Sequence, residues 1–221
     1  MARVAAGTGV RAVVLTGAGD KAFCAGADLK ERAEMPQAEV AGFVDGLRAM
    51  MDELAGLPQP TVAALQGPAL GGGCELALAC DLRVMGAGAT LSLPETHLGI
   101  LPGAGGTQRL ARLVGASRAK ELIYTARRVG PAEALGWGLC NAVAGEEGAW
   151  ERARALAETI LGGAPIALAQ AKRAVDEGLE LPLEEGLAVE RRCYAVTIPT
   201  EDRLEALAAF REKRKPRFQG R

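Results

Sequence analysis

Short apolar runs, glycine- or proline-marked turns and amphipathic stretches alternate along the chain up to about residue 106. An apolar run over residues 11–16 predicts a buried strand, and the run over 61–65 predicts a second. Two further short strands are predicted at 81–85 and 90–93. Helical periodicity places the apolar residues of 38–54 on one face, and a compact helix is predicted from Gly71 to Cys80. Because tight hairpin signals are few, this rhythm predicts an α/β core with crossover connections between its strands.

Helical patterns predominate from residue 107 to the end of the chain. Helices are predicted at 107–114, 117–125, 131–135, 150–161, 166–176, 183–197 and 200–213. The last two are amphipathic, and Leu204, Leu207, Ala208 and Phe210 share one side of the final helix. Such a region suits either a cover for the core or a contact with a neighbouring subunit, and the pattern does not separate these.

Composition excludes several classes of partner. The chain has 26 basic and 27 acidic residues and a net charge of −1, so no global charge attracts nucleic acid or anionic lipid. No apolar run reaches membrane-spanning length. Five cysteines without CxxC spacing indicate reduced thiols in an intracellular protein. We therefore expect no nucleic-acid partner and no membrane partner.

The single histidine argues against a metal site or a serine-hydrolase triad. Most zinc sites, and any Ser-His-Asp or Cys-His arrangement, would have to include His97. Its position two residues after Glu95 predicts a surface or pocket-wall residue rather than a catalytic one. No metal is expected.

Two glutamates stand beside glycine- or proline-marked turns. Glu75 closes the run Gly71–Glu75, and Glu95 follows Pro94 and leads into the glycine-rich segment 102–106. Glycine allows a backbone to approach a ligand closely, and a helix that begins there presents free N–H groups. A nearby carboxylate can then pair proton transfer with stabilisation of a developing oxyanion. This combination indicates an enzyme.

The glycine clusters at 25–28 and 71–75 are best interpreted together. Each follows a strand-like segment and leads into helical sequence, so each can donate one backbone N–H. Two such donors on one carbonyl oxygen form an oxyanion hole, worth roughly 3–4 kcal/mol per donor. Tight turns and close helix packing explain any single cluster. Three clusters with two associated glutamates favour a catalytic site.

The glycines at 17 and 19 raise the question of a dinucleotide-binding turn, for which the support is weak. Residues 17–22 formally fit G-x-G-x-x-A after a strand. However, the small-residue loop 23–28 follows where a helix should begin, and no acidic residue ends a second strand at the expected distance. No G-x-x-x-x-G-K-[ST] motif occurs, which excludes a P-loop. A nicotinamide-dependent dehydrogenase is therefore a distant alternative.

Three segments resemble the enoyl-CoA hydratase/isomerase (crotonase) superfamily, and the resemblance runs from about Arg11 to the C-terminus. They are FCAGADLK at 23–30, ALGGGCELA at 69–77 and PGAGGTQRL at 102–110. The stretches ADLKER at 27–32 and CYAVTIPTEDRLE at 193–205 most resemble the methylglutaconyl-CoA hydratase branch and its enoyl-CoA hydratase domain-containing relatives. The resemblance implies a ββα spiral core in residues 1–140 and a C-terminal helical trimerisation region in 141–221, assembled as a trimer or a dimer of trimers.

The resemblance also implies a mechanism. The amides of Ala27 and Gly72 would hold the thioester oxygen of an acyl-CoA substrate, Glu95 would deliver a proton to Cα, and Glu75 would activate the water that attacks Cβ. The amide of Gly103 would help to place that water. Because relatives that only isomerise double bonds commonly lack one glutamate, the pair favours hydration.

Coenzyme A is part of the substrate in this scheme, so no separate cofactor is expected. By the same resemblance, Lys21 and Lys30 would lie near the CoA phosphates, and Phe210 and Lys213 would reach the CoA site of a neighbouring subunit.

The family normally carries a longer N-terminal region than this sequence. We therefore expect a shortened spiral without its first turn, with exposed apolar surface and unpaired strand edges. The expected activity is hydration of an enoyl-CoA, with 3-methylglutaconyl-CoA of leucine breakdown as the candidate substrate. A short-chain enoyl-CoA hydratase of fatty-acid β-oxidation and a catalytically weak family member are the alternatives. The expected location is the mitochondrial matrix in a eukaryote and the cytoplasm in a bacterium.

Overall fold

The computed structural model describes residues 9–221, and residues 1–8 lie outside the described part of the chain. The described residues form two compact units. One comprises residues 14–56 and 61–156, and the other comprises 9–13, 57–60 and 157–221. The predicted division into a core at 1–140 and an oligomerisation region at 141–221 concerns subunit assembly and stays a prediction.

Six strands, all in the first 143 residues, form two sheets in the described chain. They are β1 (Val13–Thr16), β2 (Thr61–Leu65), β3 (Ala69–Leu70), β4 (Leu82–Met85), β5 (Leu91–Ser92) and β6 (Ala142–Val143). The larger sheet has the order β1-β2-β4-β6, with β2 and β4 parallel and β4 and β6 parallel. Strands β3 and β5 form a second, parallel pair. Every residue of β2 is buried, which explains why its apolar residues run from Val62 to Leu65 without alternation.

Helices connect and follow these strands. In chain order they are α1 (Leu29–Glu34), α2 (Gln37–Ala55), α3 (Gly72–Ala79), a 3-10 helix (Glu95–Leu98), α4 (Gly106–Val114), α5 (Ala116–Thr125), α6 (Pro131–Gly136), α7 (Gly148–Ile160), α8 (Pro165–Gly178), α9 (Leu183–Thr197) and α10 (Glu201–Arg211). The predicted α/β class, with parallel strands joined by helical crossovers, is confirmed. No helix within residues 9–221 is long and apolar enough to cross a membrane.

A buried arginine anchors the C-terminal end of α3. The guanidinium of Arg83 donates to the carbonyl oxygens of Ala77 and Cys80 at that helix end, and to that of Leu139. Burial lowers the pKa of Arg83, yet three backbone acceptors satisfy its donors. These bonds hold in place the helix whose first turns face the cavity described below.

The second unit is helical. Helices α8 and α9 pack closely, since a Cβ atom placed on Gly186 would lie 3.1 Å from the carbonyl oxygen of Gly178. In α10, Asp202 is buried and accepts hydrogen bonds from the backbone of Gln219 and Gly220. The predicted apolar side of this helix is largely exposed in the single chain, at Leu204, Leu207 and Phe210.

Four elements were not predicted: α1, the 3-10 helix, β3 and β6. Helix α1 is short and has no buried residue, so it carries no apolar periodicity. Instead, the carboxylate of Asp28 caps it by accepting from the N–H of Lys30 at 2.8 Å. The two strands are two residues long, which is too short for a pattern. The five cysteines are free thiols, as predicted, and Cys24 alone among them is partly exposed.

Candidate functional site

A cavity of about 530 Å³ in the first unit brings together five of the predicted site residues. These residues are Ala27, Gly72, Glu75, Glu95 and Gly103. They come from the loop before α1, from α3, from the 3-10 helix and from the loop before α4. Segments up to about 76 positions apart in the sequence therefore face one space.

The loop before α1 lies against the N-terminal end of α3. Gly26 has φ +90°, and a Cβ atom there would lie 2.7 Å from the carbonyl oxygen of Leu70 and 3.4 Å from the nitrogen of Gly72. A backbone hydrogen bond of 3.0 Å from Leu70 to the carbonyl of Cys24 ties the two segments together. Gly72 is the first residue of α3, so its N–H has no intrahelical acceptor. Both amides assigned to the oxyanion hole thus belong to segments in close contact at the cavity.

Glu75 lies in the first turn of α3 and is only 3% exposed. Its Oε1 atom accepts hydrogen bonds from the amides of Ala104 and Gly106, both at 2.8 Å. One oxygen of the carboxylate therefore holds the loop that leads into α4. The other oxygen remains to act on a ligand in the cavity.

Glu95 begins the 3-10 helix and is 8% exposed. Its Oε2 atom is buried without a hydrogen-bond partner in the described chain. The pKa of Glu95 is raised to about 7, chiefly by burial; a backbone hydrogen bond lowers it, and the nearby charge of Glu75 adds a smaller rise. A carboxyl group with this pKa can donate as well as accept a proton near neutral pH.

Gly71 leaves room for that carboxyl group. It precedes α3 with φ +53° and ψ −124°, and a Cβ atom there would lie 3.2 Å from Oε1 of Glu95. The next thiol along the helix, Cys74, is buried, and burial together with Glu95 and Glu75 raises its pKa. Cys74 is therefore a neutral core residue rather than a nucleophile.

The model of the enoyl-CoA hydratase/isomerase family matches residues 2–221. The chain belongs to this family. It is 58% identical over 203 residues to the mitochondrial enoyl-CoA hydratase domain-containing protein 2 of Homo sapiens, which covers 90% of this chain and 70% of that protein. It is 51% identical over 215 residues to the mitochondrial methylglutaconyl-CoA hydratase of Homo sapiens, covering 96% of this chain and 63% of that protein.

Solved structures of the family confirm the predicted crotonase fold. The crystal structure of an enoyl-CoA hydratase from Bacillus anthracis has a TM-score of 0.97 and 50% sequence identity, and covers 100% of this chain and 85% of that chain. A structure described as Pseudomonas aeruginosa DspI has a TM-score of 0.94 at 34% identity, and covers 99% of this chain and 83% of that chain.

The four residues predicted to contact CoA do not line the cavity. Lys21 and Lys30 are exposed in the first unit. Phe210, which is 84% exposed, lies near the end of α10 in the second unit, and Lys213 follows that helix. Their proposed contacts with CoA, two of them across a subunit boundary, stay predictions. His97 is exposed and is not a cavity-lining residue.

The glycine pair at 17–22 has a structural role. The side-chain amide of Gln66 donates to the carbonyl oxygens of Gly17, Gly19 and Ala22. The next helix begins only at Leu29, so this turn does not open into a helix as a dinucleotide-binding turn does.

Sequence reasoning missed three features of the site. The amides of Ala104 and Gly106 donate to Glu75. A helix start at Gly106 is a signal that could have found the second of these amides, since first-turn amides need acceptors, but it does not indicate the first. The apolar face of α2 was predicted, but its role as a cavity wall was not; the wall residues are Val40, Phe43, Val44 and Leu47. The third feature is Arg32, which also lines the cavity.

Proposed function

We propose that this chain hydrates enoyl-CoA thioesters, adding water across the α,β double bond. The observation that carries the proposal is the placement of two buried glutamates, Glu75 and Glu95, in one cavity. Metal-free addition of water to an activated double bond needs one group that accepts a proton from the water and one that supplies a proton to carbon. The two carboxyl groups meet this requirement.

The mechanism assigns each group a step. The amides of Ala27 and Gly72 donate to the thioester oxygen and stabilise the enolate charge that builds up there. Glu75 takes a proton from water through its free oxygen as the hydroxyl adds to Cβ, and Gly103 helps to place that water. Glu95 gives its proton to Cα, so that the product gains one hydrogen and one hydroxyl group.

The electrostatics support this division of roles. Glu75 accepts two amide hydrogen bonds on Oε1, which suits a carboxylate that acts as a base. Glu95 has its pKa raised to about 7 by burial, which suits an acid at neutral pH. Loss of either group would leave half of the reaction uncatalysed, which is why the pair favours hydration over isomerisation.

The acyl group has two candidates. Similarity to methylglutaconyl-CoA hydratase supports 3-methylglutaconyl-CoA, an intermediate of leucine breakdown. Similarity to enoyl-CoA hydratases in general supports a short-chain enoyl-CoA of fatty-acid β-oxidation. The ratio of kcat/KM on 3-methylglutaconyl-CoA and crotonyl-CoA separates the two.

Assembly and location complete the proposal. The exposed apolar side of α10 supports a homo-oligomer, a trimer or a dimer of trimers, in which Phe210 and Lys213 reach a neighbour's CoA. CoA enters as part of the substrate, so the reaction needs no separate cofactor. The mitochondrial names of the human relatives support the mitochondrial matrix in a eukaryote, and the Bacillus relative supports the cytoplasm in a bacterium.

Two single substitutions test the mechanism. We expect Glu75→Gln and Glu95→Gln each to lower kcat for hydration of crotonyl-CoA or 3-methylglutaconyl-CoA by at least about 100-fold, because each removes one proton-transfer group. The exposed Glu39 on α2 supplies the control Glu39→Gln, which should retain wild-type turnover. Turnover retained in both site variants would refute the mechanism. A wild-type protein that binds acyl-CoA without hydrating it would be a catalytically silent family member.

A further inference from the structure

Arg32 places a guanidinium group on the wall of the cavity. It lies in α1 and is half-buried. Its guanidinium carbon lies 4.9 Å from the centre of the Phe43 ring, and one of its nitrogens lies 3.7 Å from the sulfur of Met35. Stacking on an aromatic face orients a guanidinium group while leaving its N–H edges free. Arg32 is thus held at the cavity by groups that do not neutralise it.

No acidic side chain within residues 9–221 forms an ion pair with Arg32. Other arginines of the same unit differ, since Arg109 pairs with Asp52 at 2.7 Å and Arg127 pairs with Glu133 at 2.8 Å. A guanidinium group has five N–H donors, and the weak contact with sulfur uses one of them. The remaining donors match the geometry of a carboxylate or a phosphate.

The surroundings of Arg32 indicate which anion it meets. The cavity is also lined by the apolar side chains of Val40 and Val44, and by Glu75 and Glu95, which in the proposed mechanism act at Cβ and at Cα of the substrate respectively. The lysines expected near the CoA phosphates do not line this cavity. An acyl chain that reacts here therefore extends beyond Cβ into a space with apolar walls and one unpaired cation. A charge pair is stronger in such surroundings than in open water.

We propose that Arg32 is a specificity residue that binds a carboxylate at the far end of the acyl chain. This inference rests on the proposed hydratase function and names the class of substrate, an enoyl-CoA whose acyl group ends in a carboxylate. Such a substrate pairs with the guanidinium, whereas an acyl chain with a methyl end leaves Arg32 without a partner. Arg32 therefore distinguishes the two kinds of acyl chain mainly through substrate binding, which sets KM, rather than through kcat.

A matched pair of substrates tests the proposal. Glutaconyl-CoA and 2-pentenoyl-CoA have acyl chains of equal length and differ at the chain end, which is a carboxylate in the first and a methyl group in the second. We expect Arg32→Met to lower kcat/KM for glutaconyl-CoA by about 10- to 100-fold, through a higher KM, and to change kcat/KM for 2-pentenoyl-CoA by less than about threefold. Arg32→Lys should recover part of the loss, because an ammonium keeps the charge without the bidentate geometry.

The control removes a cation from the next helix, α2, at a position outside the cavity. Arg48 on α2 is exposed and does not line the cavity, so Arg48→Met should leave both substrates unchanged. An equal loss on both substrates in Arg32→Met would overturn the proposal, since it would place Arg32 at the CoA part that both share. If Arg32→Met had the same kcat/KM as the wild type for both substrates, the proposal would be overturned as well.

Two further results separate this proposal from the proposed function. A wild-type protein that hydrates 2-pentenoyl-CoA but not glutaconyl-CoA keeps the function and overturns the role of Arg32. A wild-type protein that hydrates neither refutes the function, and the role of Arg32 is then decided by calorimetric binding of the saturated analogues glutaryl-CoA and pentanoyl-CoA. Tighter binding of glutaryl-CoA that is lost in Arg32→Met would support the proposal, and equal binding would overturn it.

Discussion

Glu95 shows at the scale of a single residue how burial prepares a group for chemistry. The carboxyl group has an orphaned buried oxygen and a neighbouring acid, and both disfavour its ionised form. The raised pKa keeps a large fraction of Glu95 protonated at neutral pH, so that the group has a proton to donate. The same burial means that ionisation of Glu95 destabilises the folded state. The raised pKa should therefore affect both the pH dependence of the rate and the pH dependence of stability.

The first prediction at this scale concerns rate. In the proposed mechanism Glu95 holds a proton that it gives to Cα, so kcat/KM should fall as pH rises through about 7, the pKa of this group. The pH profile of kcat/KM with crotonyl-CoA measures this, and Glu39→Gln should give the wild-type profile. A rate that stays constant through this range would show that Glu95 does not act as the acid.

The second prediction concerns stability. Because the folded state raises the pKa of Glu95 from 4.5 to about 7, it binds this proton more tightly than the unfolded state does. The resulting stabilisation is fully present below pH 4.5 and is lost as pH rises through about 7, with a slope of up to about 1.4 kcal/mol per pH unit between the two values. In Glu95→Gln this contribution to the pH dependence should disappear.

Urea unfolding of the wild type and of Glu95→Gln at several pH values measures the difference. Relative to the wild type, Glu95→Gln should be more stable above pH 7 than it is at low pH, because its neutral amide does not ionise. Curves that change in parallel with pH would mean that Glu95 does not carry this linkage.

At the scale of elements, the loop before α4 is the point where contacts from neighbouring helices meet beside the site. Glu75 of α3 accepts from the amides of Ala104 and Gly106, while Arg109 of α4 donates to the carbonyl of Ala104 and pairs with Asp52 of α2. The contacts with the loop thus come directly from α3 and α4, and α2 acts on it through Arg109. The position of the loop, and of the Gly103 amide within it, therefore depends on all three.

Glu75 should consequently contribute to stability as well as to chemistry. We expect Glu75→Ala to lower the free energy of unfolding by roughly 2–4 kcal/mol, because it leaves two buried amides without an acceptor. Glu75→Gln keeps an oxygen in place and should lose much less stability while losing activity. Urea denaturation compares the two variants, and equal stability of Glu75→Ala and the wild type would show that these bonds do not hold the loop.

At the scale of the whole molecule, the apolar side of α10 is one of the places where the single chain exposes large apolar side chains. Leu204, Leu207 and Phe210 are all more than half exposed, although isolated surface leucines are ordinary and only their grouping on one helix side is informative. Apolar side chains grouped on one side of a helix in this way favour a subunit contact. We expect neighbouring copies of the chain to cover it.

Light scattering coupled to size-exclusion chromatography should therefore find a trimer or a hexamer. Leu207→Glu should shift the protein to smaller species, because a carboxylate would be buried without a partner in the subunit contact. The control Arg211→Glu changes charge at an exposed polar position of the same helix and should leave the assembly intact. A wild-type monomer would contradict the predicted assembly.

Several elements were predictable because their signals are local. The bounds of β2 and α9 agree with the predicted 61–65 and 183–197, since a buried parallel strand is a continuous apolar run and a long helix repeats its apolar face. Motif resemblance likewise identified the family and singled out Glu75 and Glu95. These signals lie within short windows of sequence, where chain geometry fixes the spacing of side chains.

The tertiary structure alone decided the environment of these residues. The burial that raises the pKa of Glu95, the two amides that bind Glu75 and the entry of Arg32 into the cavity all join segments that are distant in the sequence. Distances between such segments depend on how helices and strands pack, and desolvation depends on everything that surrounds a group. The sequence by itself thus determined the fold class and the candidate catalytic residues, whereas packing determined their protonation and their neighbours.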